Sequence, residues 1–369
     1  MNDITIDKTG WKKWRFDEFA QNISERVEPS QTDLDLYVGL EHIDPDTLHL
    51  NRHGHPSDVE GTKLRFYKGD IIFGRRRAYQ RKTALATTDG ICSAHAMVLR
   101  AKEDVVDPSF FPFLFHSKQF IDMAITISVG GLSPTINWKD ISKQEFLLPP
   151  KSEQKRLAEL LWAADEVVEK EKREREKVEE LLETDCANTL GQCNNGQYES
   201  LNQSFIKISD VIAKERFEVG KLETEQYQSQ GKYPIIDQSK TFIAGYSDLD
   251  ILVFKGSLPV IVFGDHTTIV KFVDFPFILG ADGTKIIKAN DEKVTTKFLF
   301  YAIKNLHIIP QGYRRHFSIL KELEIPSFSI EKQNECVSRW DKLEELSNGI
   351  IQQIELSQQI KQELINKIM

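Results

Sequence analysis

The stretch SEQKRLAELLWAADEVVEKEKREREKVEELLETDCANTL, Ser152 to Leu190, contains no glycine or proline. Its apolar positions alternate in steps of four and three: Leu157, Leu161, Ala164 and Val168, then Val178 and Leu182. That spacing predicts one long helix with a narrow apolar seam. Ser152 suits the N-cap with Glu153 in the first turn, and Gly191 is placed to end the helix. About 38 residues at 1.5 Å each give roughly 57 Å. The middle, Glu169 to Lys177, is almost wholly charged, so the helix needs a partner for its seam to be stable in water.

The C-terminal stretch from Glu331 to Met369 offers that partner. Cys336, Trp340, Leu343, Ser347, Ile350, Ile354, Ser357, Lys361, Leu364 and Ile368 follow the same alternation. The chain between the two helices must fold as a globular domain that begins where the first helix ends and feeds the second. If the helices pair within the molecule, they run antiparallel, as a rod holding two globular heads.

The chain reads through this plan twice. Residues 1–150 are a first domain, with β-like runs at Tyr37–Leu40, Asp70–Phe73 and Ala96–Leu99. Residues 151–190 are the central helix and 191–204 a polar linker. Residues 205–330 are a second domain, with strands expected at Pro234–Ile236, Ile251–Phe254, Val260–Phe263 and Thr284–Ile287; residues 331–369 are the second helix. IIFG ending at Gly74 answers IVFG ending at Gly264, and FLLPPKSEQ (Phe146 to Gln154) answers IPSFSIEKQ (Ile325 to Gln333). This is a tandem duplication of a domain-plus-helix unit.

Composition excludes several classes. Forty per cent hydrophobic and 28% charged residues over 369 positions describe globular domains, not a disordered chain. No apolar run reaches the roughly 18 residues of a membrane span, and the N-terminal residues lack the pattern of a secretory signal, so a cytoplasmic location without membrane contact is expected. Cys92, Cys186, Cys193 and Cys336 have no redox or zinc spacing and are expected to be reduced. His49, His53 and His55 cluster beside Asn51, Gly54 and Pro56, which favours a solvated turn over a metal site.

Catalytic chemistry is missing from the pattern. The pairs Gly220-Lys221 and Gly231-Lys232 lack the rest of a phosphate-binding loop. Asp107-Pro108-Ser109-Phe110 differs at its third residue from the tetrad of amino-methyltransferases, and a helix cap explains the same letters. Neither a catalytic residue nor a metal or cofactor bound by this chain is expected.

Recognition chemistry is present. The formal charge of −8 is uneven: residues 151–190 hold 8 basic and 12 acidic side chains and 331–369 hold 5 and 7, so the helices carry −6 of it. In the first domain, Lys63, Arg65, Lys68, Arg75, Arg76, Arg77, Arg81 and Lys82 face only Asp70 within twenty residues. Three of these arginines follow Gly74 at a strand end, with Tyr79 among the rest. Guanidinium forks fit phosphate oxygens and the guanine O6/N7 edge. The corresponding turn of the second domain offers Asp265, His266 and Thr267, and Tyr313, Arg314, Arg315 and His316 precede the second helix. For the Asp265–His266 turn, a purely structural role is as reasonable as a contact. Different donors and acceptors on one frame would read different base sequences.

The segments KGDIIFGRRRAYQRKTALATTDGICS (Lys68 to Ser93), GGLSPTINWKDISKQEFLLPPKSEQKRLAELL (Gly130 to Leu161), VIVFGDHT (Val260 to Thr267) and QGYRRHFSILKELEIP (Gln311 to Pro326) resemble the specificity subunit of type I restriction-modification systems, in order and over nearly the whole chain. Ala78 stands where such segments often carry Pro, and Ser327-Phe328-Ser329 where the first repeat has Leu148-Pro149-Pro150.

The resemblance implies an α/β fold with two tandem target-recognition domains separated by two long helices in an antiparallel coiled coil. It implies double-stranded DNA with a bipartite site as ligand. The partners it implies are two modification (methyltransferase) subunits and restriction subunits, with S-adenosylmethionine, ATP and Mg on those partners. The competing expectations are a modification enzyme with fused recognition domains, for which the chain has no room, and a coiled-coil scaffold whose heads bind protein.

Overall fold

A computed structural model describes residues 6–194, 196–198, 204–215, 217, 220–280, 283–312 and 314–369. The chain divides into two compact units, one of Met1–Lys172 with Gln352–Met369 and the other of Arg173–Ile351.

In the first unit the elements in chain order are β1 (Lys12–Arg15), α1 (Phe16–Phe19), β2 (Ala20–Ile23), β3 (Arg26–Val27), β4 (Tyr37–Val38), β5 (Lys63–Phe66), β6 (Ile71–Phe73), β7 (Thr83–Leu85), β8 (Gly90–Cys92), β9 (Met97–Ala101), α2 (Phe111–Leu114), α3 (Lys118–Thr126), α4 (Trp138–Ile141) and β10 (Glu145–Leu148). Two four-stranded sheets, ordered β2-β9-β6-β7 and β3-β5-β8-β4, enclose a small core of Val38, Phe66, Ile72, Cys92 and Val98. A larger core lies on the other face. Phe16, Phe19, Phe111, Phe115, Phe120 and Phe146 meet there at ring separations of 4.8–6.4 Å and are joined by Leu157 and Leu161 and by Leu364, Ile365 and Ile368. Phenylalanine's large apolar area makes such a cluster the main stabilising mass of the unit.

In the second unit follow β11 (Cys193–Asn194), β12 (Gln197–Tyr198), β13 (Phe205–Lys207), α6 (Ile208–Val211), β14 (Lys221–Leu222), β15 (Tyr233–Ile236), β16 (Gly245–Ser247), β17 (Val260–Gly264), β18 (Val270–Val273), β19 (Ile278–Gly280), β20 (Thr284–Ile287), α7 (Thr296–Asn305), α8 (His316–Glu322) and β21 (Glu324–Pro326). The helices α5 (Lys151–Leu190) and α9 (Ile330–Ile368) each contribute to both units.

The duplication is structural. β6 lies between β7 and β9, antiparallel to both, as β17 lies between β18 and β20. Each central strand is a fully buried apolar run leading to a glycine. The Gly74 amide donates to the Lys82 carbonyl at 2.9 Å, and the Gly264 amide to that of Ile269 at 2.8 Å. The pair β1–β10 has its counterpart in β13–β21.

The start of each long helix is tied to its unit by a buried glutamine. The Gln154 Nε2 donates to the carbonyls of Val105 (3.1 Å) and Pro149 (2.9 Å), and its Oε1 accepts the Asp107 amide at 2.7 Å. The Gln333 Nε2 donates to Lys293 and Phe328 (2.9 Å each), and its Oε1 accepts the Thr295 amide at 2.9 Å. The repeated Glu/Lys-Gln of the two FLLPPKSEQ-like segments is therefore one lock made twice.

Two expectations change. α5 begins at Lys151, so Ser152 lies inside its first turn, and the Pro150 carbonyl accepts the Glu153 and Gln154 amides. Proline's fixed φ and missing N–H fit that helix entry without a side-chain cap. Gly191 does end the helix, at φ 97°. Ile251–Phe254 is not a strand: residues Asp250–Leu252 form a 3₁₀ turn and Val253 alone bridges to Ile278. The Asp250 carboxylate holds the turn by accepting from Lys232 Nζ (2.7 Å) and the Tyr233 hydroxyl (2.6 Å), leaving Ile251 exposed. Asp107 accepts the Ser109 amide and hydroxyl, capping the turn that leads into α2 at Phe111, which accounts for the Asp-Pro-Ser-Phe letters. All four cysteines are free thiols.

Replacing Gln154 by Ala leaves three buried or half-buried backbone groups without their partner. Urea titration of the Q154A variant should show a loss of about 1–3 kcal/mol, and Q333A should give a similar loss in the second unit. An unaltered midpoint in both would show that the amides are not the tie.

Candidate nucleic-acid interface

The turn after β6 is held by its backbone. The Arg75 carbonyl accepts the Ile136 amide at 2.9 Å, and the Arg77 amide donates to Pro134 at 2.7 Å. Arg77 and Arg81 both lie in the left-handed region, at φ 57° and 54°, on either side of the 3₁₀ turn Ala78–Gln80. Such positions cost non-glycine residues roughly 1–3 kcal/mol and persist only where the surroundings fix them.

The basic residues of this unit divide into two groups. Arg81 is ion-paired with Asp46 and donates to Gln362 at 3.2 Å, and Lys82 donates to the Leu40 carbonyl at 2.6 Å. Lys63 donates to the carbonyls of Glu60 and Gly61, and Arg65 lies 4.8 Å over the Tyr67 ring, 3.8 Å from Glu25. These side chains hold loops in place. Arg76 and Arg77 instead share the Ser133 hydroxyl, at 3.2 and 3.3 Å, and Tyr79 and Lys68 are exposed. Asp70 does not offset the patch, because it is buried in a two-pronged pair with Arg100 at 2.6 and 2.8 Å.

Arg75 enters a cleft of about 390 Å³ lined also by Asn22, Arg26, Lys63, Met97 and Trp138, with no acidic side chain in its lining. Arg26 and Trp138 had no signal in the linear sequence. The antiparallel register that pairs Arg26 with Leu64 brings residue 26 beside residue 63.

In the second unit the equivalent frame is chemically different. The Asp265 carbonyl accepts the His316 amide at 2.9 Å, as that of Arg75 accepts Ile136. The Asp265 carboxylate is buried and accepts the Phe317 amide at 2.8 Å. His316 is buried as well: its Nε2 accepts the Gln311 amide and its Nδ1 faces the Asp265 carbonyl, both at 2.9 Å, which selects the Nδ1–H tautomer. The Thr267 hydroxyl donates to Gln238, while the His266 amide donates to that residue's side-chain oxygen at 3.3 Å. Arg314 and Arg315 are exposed; Tyr313 lies outside the described residues.

The seams of the long helices are buried as their spacing requires. Leu157, Leu161, Val168, Leu364 and Ile368 in the first unit, and Leu182 and Trp340 in the second, are buried. Ile354 is buried, and Ala164, Val178, Leu343 and Ile350 are half-buried. In the first unit Lys361 pairs with Asp165 at 3.0 Å and Ser357 donates to Glu171 at 3.1 Å, so these stretches run antiparallel. In the second, Ser347 meets Glu179 at 3.3 Å and Arg339 pairs with Asp185 at 2.7 Å, in the same sense.

His49 joins the Asp165 cluster, with its Nε2 2.6 Å from Oδ2, and is therefore not part of a solvated turn; His53 and His55 are exposed. Burial would raise the Asp165 pKa, but His49 and Lys361 outweigh it and hold the carboxyl below its ordinary value. The bond to Asp165 raises the His49 pKa against the effect of burial. Nearby His116 is buried, and desolvation with the charges of Lys361 and Arg81 pushes it down to about 3. Among the described residues no group of three or more His, Cys, Asp or Glu side chains could hold a metal ion, and no helix is long and apolar enough to cross a membrane.

Residues 44–180 match the family model of the type I restriction modification DNA specificity domain. The type I restriction enzyme EcoDI specificity subunit of Escherichia coli is 30% identical over 166 residues, which is 44% of this chain and 37% of that protein. The EcoR124I/EcoR124II specificity subunit of the same organism is 31% identical over 87 residues, 23% of this chain and 22% of that protein. The matched part thus spans well under half the length of either relative. The S subunit of a type I restriction-modification system from M. genitalium has the same fold at TM-score 0.59 and 15% identity, covering 100% of this chain and 97% of that one. A chain from a structure of a type I R-M system's assembly and conformational transition aligns at TM-score 0.55 and 17% identity, over 98% of this chain and 97% of that one.

The Asp165 cluster makes stability depend on pH. Because the His49 pKa is raised on folding, its contribution is complete below about pH 6.5 and is lost as pH rises through the raised value. His49→Ala should therefore cost more at pH 6 than at pH 9, with about 1–2 kcal/mol at the lower pH after allowance for the ring's partial exposure. His116, neutral in both proteins when folded, cancels from the difference. Urea unfolding at the two pH values checks this; an equal cost at both would remove the charge from the account.

Proposed function

We propose that this chain, whose residues 44–180 carry a type I restriction modification DNA specificity domain, is the specificity subunit of such a system and reads a bipartite double-stranded DNA site, one half with each unit. The observation that carries this reading is the duplicated strand–glycine–turn frame bearing unlike side chains. Gly74 leads to Arg75, Arg76 and Arg77; Gly264 leads to Asp265, His266 and Thr267. Phosphate contacts fix register and orientation, while base-edge contacts carry sequence, so equal frames with unequal turns suit two different half-sites.

The chain's role is binding, and the specificity-subunit family is non-catalytic. Adenine methylation and cleavage would belong to partners: two methyltransferase subunits holding S-adenosylmethionine, and restriction subunits using ATP and Mg. Leu160, Val167, Leu181, Leu346 and Leu356 are exposed on the long helices, and exposed apolar positions of this kind suit docking of partner subunits. The complex would act in the cytoplasm, where the DNA is.

Replacing residues 205–310 with the equivalent part of a homologue should change one half-site and leave the other. Methylome sequencing of cells carrying the chimera with its partner subunits reads this directly, and a change in both halves would sink the two-module reading. Within the first unit, Arg77→Ala should weaken binding by roughly 1–3 kcal/mol and relax one base position if the guanidinium reads a base. On a phosphate it should lower the salt slope by about one and leave the preference alone. Unchanged affinity and slope would remove Arg77 from the interface.

A further inference from the structure

Beside the arginine turn stands a feature that the fold does not use. The amides and carbonyls of Val129 and Thr135 bond to each other at 3.1 and 2.9 Å, closing a short hairpin over Gly130-Gly131-Leu132-Ser133-Pro134. Gly130, at φ 118°, permits the reversal. Leu132 at the tip is 96% exposed and Val129 is 65% exposed. The hairpin is clamped from below: Arg76 bridges to Thr135, the Arg77 amide donates to Pro134, and the Ile136 amide donates to Arg75.

Two guanidiniums lie at the leucine's neighbour. Arg76 and Arg77 both donate to the hydroxyl of Ser133, the residue next to Leu132. A leucine left in water forgoes about 1.5–3 kcal/mol of burial, and here it is held out on a braced tip whose next residue binds two cations. Against a protein surface the cations would need acidic partners; against a duplex, phosphates lie on either side of an apolar base stack. The charge complementarity favours DNA. Proteins that kink DNA combine these parts, an apolar wedge entering a base step and flanking arginines on the backbone.

We propose that Leu132 is a wedge that enters a base step in or beside the half-site read by the first unit, while Arg76 and Arg77 hold the flanking backbone. This rests on the DNA-reading function proposed above and adds a residue that sets DNA shape. The side chain touches base faces, so it acts through the cost of unstacking a step, and flexible pyrimidine–purine steps would be favoured there.

The test uses the full chain assembled with its methyltransferase subunits and a duplex carrying the site mapped by methylome sequencing, with donor and acceptor dyes at its ends. The unaltered complex should bend this duplex by about 20–90°. L132A should lose most of the bend and bind on the order of tenfold more weakly, with its salt slope kept because both arginines remain. L132M should retain bend and affinity. A straight duplex in the unaltered complex, or an equal bend with L132A, overturns the wedge while sequence-specific binding persists. Loss of methyltransferase assembly in L132A with the bend intact would assign the tip to a protein contact and also overturn it. If the unaltered complex fails to prefer the mapped duplex over a scrambled one, the DNA-reading function itself falls.

Discussion

A single side-chain amide decides how each globular unit meets its long helix. At the helix entry the chain turns out of the last strand, leaving backbone groups that neither element can satisfy, and burial makes each unmet group expensive. Gln154 answers two carbonyls and one amide at once, and Gln333 does the same in the second unit. Glutamine is suited because its amide offers both donors and an acceptor in one plane, which a carboxylate or an ammonium would not. The amides it accepts, those of Asp107 and Thr295, each open a helical turn packed against the long helix. Shifting the lock would shift the aromatic cores behind it.

The helix seams follow a different logic along their length. Near the ends of the chain's long helices, leucine, isoleucine and tryptophan pack into the unit cores. Polar pairs are set among the apolar seam positions, with Asp165–Lys361, Ser357–Glu171, Ser347–Glu179 and Asp185 receiving both Arg339 and the Trp340 indole. Buried ion pairs are poor sources of net stability because desolvation offsets their attraction. Their use is register: an apolar seam tolerates a one-heptad slip, whereas a slipped Asp165 would be a buried charge without a partner. Under the DNA-reading function proposed above, a fixed spacing between two readings is a reason to accept that cost.

Much of this was legible in the sequence because it is periodic or repeated. The long helices, their seams, the glycine that ends the first, and the duplicated IIFG/IVFG strands all depend on local spacing. What was not legible depends on pairing at long range. His49 looked like part of a loop because nothing near it in sequence announces Asp165, 116 residues away. The basic window looked like one patch, yet Asp46 and Glu25, outside it, claim Arg81 and Arg65, and Arg26 joins Arg75 only through strand register. The Ile251–Phe254 run failed as a strand because four apolar residues carry no period, and the acceptor at Asp250 settled the turn.

The two turns also differ in how far their side chains are free to vary. In both units the carbonyl of the residue after the glycine accepts a backbone amide at the entry to a short helix, from Ile136 just ahead of α4 and from His316 at the start of α8, so the backbone is fixed whatever the side chain is. In the first unit the Arg76 and Arg77 side chains, among the described residues, share one hydroxyl, a contact that a phosphate or base can displace at little cost. In the second unit the Asp265 carboxylate and the His316 ring are used internally. The exposed arginines there are Arg314 and Arg315, on the loop from α7 into α8 rather than on the turn itself. One frame thus presents its charge from two different places, which, under the function proposed above, would let duplicated domains diverge in what they read without altering the strands, glycines and glutamines that hold each of them.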